Sequence, residues 1–269
     1  MQRNLISITF MVAAAVISIA FGSWWLRSTV LSPSDSVGAT ESILDDDQIR
    51  SEITSIVSAA TADRLGQPAV EISRFIEPIL ASRAGAEMMT EIVAAGHARV
   101  IGERSEPLRI SGPQMVQIVR DELVMDLPPV TIPIAEVSAL STIKRVLWWT
   151  TLIPGILAAL AVGFAFFARP ERRDLQIFAT SLMFGLAISI GLFGIVIPMW
   201  GLTELSDTTW LAVVPRLAAR TMIFVVPAMV AFIALGVVSL LTTGSSPRRS
   251  QWASPISSGR YVSERNWYR

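Results

Sequence analysis

Four long apolar runs divide the chain. The first, Asn4 to Leu26, follows Arg3 and ends on Trp24-Trp25; the second, Val146 to Ala168, lies between Lys144-Arg145 and Arg169. The third runs from Leu175 to Ile197 and the fourth from Thr221 to Leu241. About 20 apolar residues, each rising 1.5 Å along a helix, cross the ~30 Å hydrocarbon core of a bilayer. Each run therefore predicts a transmembrane helix. Ser18 and Ala20 would also suit a signal-peptide cleavage site, but the run is longer than a signal core, and an uncleaved anchor is expected. Residues 169–174 alone separate the second and third runs, which predicts an antiparallel hairpin.

Between the first two runs, from Arg27 to Arg145, the pattern changes to short amphipathic stretches. Ser32 to Thr40 is a polar linker. Asp45 with Gln48 has the spacing of a capping box, and Ile49, Ile53, Ile56, Val57 and Ala60 then recur at helical spacing. Ile72, Phe75, Ile76, Ile79 and Leu80 form the clearest stripe, with Pro78 expected to kink or split it. Met88, Met89, Ile92, Val93, Gly96 and Val100 predict another helix, and Ser111-Gly112-Pro113 starts one that reaches Leu127. Leu108 to Ile110 reads as a short extended piece. Pro128 to Pro133 reads as polyproline-like. Ile134 to Ile143 is expected to run into the second span as one helix. The fold expected is all-α: a polytopic membrane protein of four transmembrane helices (4–26, 146–168, 175–197, 221–241) with a small helical extracytoplasmic domain at 27–145. An outer loop occupies 198–220, where Trp210 to Ala219 is expected to lie along the interface. A polar tail at 242–269, rich in Ser and Arg, is expected to be disordered.

Charge supplies the orientation. Lys plus Arg and Asp plus Glu both total 22, but Ser28 to Ile143 holds 17 acids against 8 bases, a net of −9. Arg3, the Arg169–Arg173 loop and the tail arginines Arg248, Arg249, Arg260, Arg265 and Arg269 then fall on one side of the bilayer. The positive-inside rule places that side in the cytoplasm, with both termini, and the acidic domain outside. The chain has no Cys, which excludes disulfides, thiolate metal sites and a cysteine nucleophile.

Candidate chemistry is sparse. No Asp, Glu, Lys, Arg or His lies inside the four runs, and such residues mark ion pathways and proton relays. His97 is the single His, read as a surface or helix-end residue; Glu87 and Glu91, four apart, read as a solvated helix face. The Asp45-Asp46-Asp47 run lacks the spacing of a Ca²⁺ loop and reads as helix-start acids. No catalytic residue, metal or cofactor is expected, and an acidic domain makes nucleic acid an unsuitable partner. Two sets of residues do stand out. Arg216 and Arg220 share a helix face at the outer end of the fourth span, suited to headgroups or to acids of the domain. Small residues recur every four positions in Ala14, Ser18, Gly22, in Gly155, Ala159, Gly163 and in Ser181, Gly185, Ser189, a pattern that permits close helix packing.

The segment Ile43-Leu44-Asp45-Asp46-Asp47-Gln48-Ile49-Arg50-Ser51-Glu52-Ile53, taken with Pro128-Pro129-Val130 before a second span, resembles uncharacterised integral membrane proteins of actinobacteria. The resemblance covers the layout up to about Pro198. It implies an N-terminal span, a helical outer domain and further C-terminal spans in a cell envelope. The function expected is a non-enzymatic accessory or scaffold protein of the plasma membrane, meeting the lipid bilayer and envelope proteins or lipids. The alternative is a component of a membrane transporter or channel.

Overall fold

Local sequence signals start and stop the helices of the domain. The structure, a computed structural model, describes residues 2–33, 36–167 and 171–244. Helix α1 (Gln2–Thr29) leads into α2 (Val37–Leu44), α3 (Asp47–Leu65), α4 (Ala69–Leu80) and α5 (Arg83–Val100). Asp46, not Asp45, caps α3: its Oδ1 accepts from Gln48 N at 3.0 Å and Ile49 N at 3.2 Å. Asp45 instead closes α2. Ser82 Oγ caps α5 by accepting from Gly85 N. Gly66 ends α3 in the left-handed conformation at φ 63°, which glycine adopts without steric cost. Pro78 does not split its stripe, because it falls in the last turn of α4.

The domain is not wholly helical. Strand β1 (Leu108–Ile110) precedes α6 (Gly112–Val119) and pairs antiparallel with β2 (Val130–Ile132), matching Leu108 to Ile132 and Ile110 to Val130. The expected polyproline stretch is therefore a strand over its Val-Thr-Ile part. A two-stranded ribbon is marginal alone. Here Leu108, Ile110 and Ile132 are buried, with β1 packed on α5 and β2 on α3. Within β2 the burial falls on Ile132, with Val130 half-buried and Thr131 exposed.

Four helices are long and apolar enough to cross a membrane. Besides α1 they are α7 (Ser138–Phe167), α8 (Arg172–Gly191) and α9 (Val213–Gly244). Helix α8 passes into a π-helical segment, Leu192–Gly201. All four exceed their apolar runs on the domain side, α1 by ending at Thr29 rather than Leu26. Helix α7 starts at Ser138 rather than Val146, α9 at Val213 rather than Thr221, and the third helical path continues to Gly201 rather than Ile197. The outer loop shrinks to Leu202–Ala212. Within the stretch Trp210 to Ala219, Trp210 is 2% exposed, and Val213 onward forms the first turns of α9. The added turns are amphipathic, and the domain buries their apolar side.

The helices run alternately toward and away from the domain. In space their order is α7, α1, α8, α9: α1 packs on both α7 and α8, and α8 packs on α9. Helices α7 and α8, though joined by a short loop and antiparallel, stand on opposite sides of α1. The outer faces of α7 and α9 carry exposed Leu160, Phe164, Ile223, Phe224 and Leu241, an apolar surface suited to lipid. Arg169, the tail beyond Gly244 and the readings made on them lie outside the described residues.

One core joins the two parts. Leu26 of α1 with Val30 and Leu31 just past it, Leu140 and Leu147 of α7, and Val213, Val214 and Leu217 of α9 belong to the same buried cluster as Ile49, Ile53, Ile76 and Met89 of the domain. Val137 N donates to Val100 O at 3.0 Å, which pins the entrance of α7 to the end of α5.

Candidate interaction site where the helices meet the domain

The site grows from the acidic run between α2 and α3. The break at Asp45-Asp46 lets one carboxylate serve two purposes. Oδ1 of Asp46 satisfies the first free N–H groups of α3, while Oδ2 accepts from Arg216 Nε at 3.1 Å. A second guanidinium nitrogen of Arg216 also lies 3.1 Å from Oδ2, and Asp45 stands 4.0 Å from Arg216. The Asp46 side chain is 13% exposed and that of Arg216 42%, so the pair is partly shielded from water. Charge-assisted bonds of this kind are short and stronger than neutral ones.

One turn further along α9, Arg220 Nη1 donates to Ser36 Oγ at 3.3 Å. Ser36 is the cap of α2, where its hydroxyl accepts from Ala39 N. Gly38 makes room for this approach: a Cβ there would stand 2.8 Å from Arg220 Nη2. The two arginines thus meet the capping residues of two successive domain helices. Their i, i+4 spacing, legible in the sequence, puts both on one face of α9. Nothing local in the sequence marks Asp46 and Ser36 as their partners, although Asp46 stands inside a helix-start signal.

His97 is buried, 1% exposed, at the end of α5 and not at a surface. It is hydrogen-bonded to the backbone of Val30, just past α1, and its Nε2 has no partner among the described residues. Burial lowers its pKa to about 4, against the opposing effect of the Val30 bond. Lys144 lowers it further and Glu103 raises it; these two residues form an ion pair with each other. The imidazole is neutral at pH 7. Glu87 pairs with Arg83 at 3.7 Å on the solvent face of α5, and Glu91 is exposed as well. These three residues do not converge. Among the described residues, no three of His, Asp and Glu are grouped as metal ligands.

Trp210, expected at an interface, packs into the domain instead. Its ring lies over Gly96 of α5, where a Cβ would come within 2.6 Å of the indole. Its Nε1 is buried without a partner among the described residues.

The small-residue sets divide. A Cβ at Gly185 would collide with Ser18 Oγ, and one at Gly22 with Ser189 Oγ. Ser189 Oγ donates to the carbonyl of Ser18 at 2.5 Å. The seam between α1 and α8 is therefore built from Ser18, Gly22, Gly185 and Ser189, with Ser181 half-buried one turn away. On α7, nothing among the described residues lies within 4 Å of a Cβ placed at Gly155 or at Gly163. Gly155 and Ala159 instead line a groove of about 450 Å³. No family model, curated protein or solved structure matches the chain.

Proposed function

We propose that this chain is a non-enzymatic integral membrane protein that presents its acidic helical domain outside the cell. It would act there as an envelope-associated accessory or scaffold subunit, with both termini in the cytoplasm of a plasma-membrane-bound cell. The observation that carries the reading is the continuous core between the domain and the ends of α1, α7 and α9, reinforced by the Arg216–Asp46 pair. A domain fused to three membrane helices is held in one orientation, which suits a platform for partners. A surface for them lies on the domain itself: Val70, Phe75, Leu123 and Met125 are exposed on α4 and on the loop after α6. Those elements pack on α3, α5 and each other rather than on the membrane helices. Exposed apolar side chains so placed favour a protein partner.

Two measurements test the reading. The chain has no Cys, so single cysteines at Gln67 and Ser257 report topology directly. The first should react with a membrane-impermeant thiol reagent in intact cells, and the second only after lysis; the reverse pattern defeats the orientation. Photo-crosslinking from Phe75 should trap a defined envelope protein. A chain that crosslinks to nothing and runs as a lone monomer in mild detergent counts against a scaffold.

A further inference from the structure

The groove beside Gly155 has α1 as its floor and α7 and Phe178 of α8 as its walls, because α1 stands between those two helices. Its lining is apolar. At about 450 Å³ it falls within the roughly 300–1,000 Å³ typical of small-molecule sites. Trp24 of α1 and Thr151 of α7 line its domain end. Continuing along the same helices, Arg27 stands one turn past Trp24. Trp148 stands one turn past Thr151, with Lys144-Arg145 a further turn on. Lys144 is engaged by Glu103. Arg145 is exposed, and Arg27 Nε is buried with no partner; neither side chain meets an acid among the described residues. An apolar channel, an aromatic rim and then uncompensated arginines is the order of chemistry along a phospholipid, from tail to phosphate.

We propose that this groove is a binding site for an anionic phospholipid. One acyl chain would lie along Gly155 and Ala159, with the phosphate at Arg27 and Arg145. Guanidinium groups bind phosphate oxygens in bidentate fashion. The surrounding domain carries a net −9 between Ser28 and Ile143 and repels anionic headgroups elsewhere on that side, which favours a headgroup beside Arg27 and Arg145. Glycine at 155 and alanine at 159 keep the channel open; larger side chains would fill it. The site rests on the reading that these helices span a bilayer, and it does not depend on any protein partner.

The test uses the full chain in nanodiscs of equal phosphatidylglycerol and phosphatidylcholine, with retained lipids counted by native mass spectrometry after release. The expected result is several-fold preferential retention of phosphatidylglycerol. Arg27→Gln with Arg145→Gln should abolish the preference. Gly155→Leu should reduce retention of phosphatidylglycerol, whereas Gly163→Leu, outside the groove lining, should not. Equal retention of both lipids by the unaltered chain overturns the proposal. So does an unchanged preference in the double arginine variant, or a Gly155→Leu chain that retains lipid as well as Gly163→Leu. A chain that fails to enter the disc overturns the membrane reading and this site with it; one that enters without preference overturns the site alone.

Discussion

Arg216 Nε donates to Asp46 Oδ2 at 3.1 Å across 170 residues of sequence, while the other oxygen of that carboxylate caps α3. Membrane helix and domain are thereby joined at a helix N-terminus, where negative charge is already favoured. Asp46→Asn should keep the cap and lose the ion pair, while Asp46→Ala should lose both. The alanine variant is expected to be less stable than the asparagine variant by about 1 kcal/mol, the usual worth of an N-cap. Thermal unfolding in detergent measures the difference. Equal losses would show that the cap contributes nothing here.

His97 makes stability depend on pH. Its folded pKa of about 4 lies below the ordinary imidazole value of 6.5, so the unfolded chain takes up the proton first as pH falls. The contribution is complete above about pH 6.5 and is lost as pH drops toward 4. At about 1.4 kcal/mol per pKa unit, its ceiling is roughly 3 kcal/mol. His97→Leu should flatten the fall in melting temperature between pH 7 and pH 4.5 relative to the unaltered chain. Parallel curves for the two proteins would refute this role.

Gly96 has no room for a side chain beneath Trp210. Gly96→Val should displace the indole and cost about 1–3 kcal/mol, as overpacking does. Intrinsic fluorescence of a variant retaining Trp210 as its only tryptophan should shift to the red. An unshifted spectrum with unchanged stability would contradict the packing described.

The α1–α8 seam and the open face of α7 respond differently to the same substitution. Gly185→Leu should separate α1 from α8 and lower the melting temperature, because its Cβ is already blocked by Ser18 Oγ. Gly163→Leu should leave it within about 0.5 kcal/mol of the original, as surface changes do. Similar losses for the two variants would contradict the order α7, α1, α8, α9.

Much of this architecture is written locally. The four apolar runs were recognisable by length, because only a helix of that length satisfies its own backbone across hydrocarbon. The stripes of α3, α4 and α5 were visible because the period of a helix dictates which residues share a face. The helical face shared by Arg216 and Arg220 follows from the same rule. Other features depended on partners far away in the chain. Val130-Thr131-Ile132 became a strand because Leu108 to Ile110 lay beside it. His97 became a buried, neutral link to α1 because the membrane helices close over the end of α5. The lead-in of α7 from Ser138 follows the helix expected to run into the second span, whereas α9 outgrew its apolar run because the domain buries Val213, Val214 and Leu217 in its first turns. The three small-residue sets looked alike in sequence, and tertiary structure separated them. Ser18 and Gly22 meet Gly185 and Ser189, while Gly155 borders a groove. A helix face states only that it can be approached closely; which neighbour approaches is decided by the packing of the whole chain.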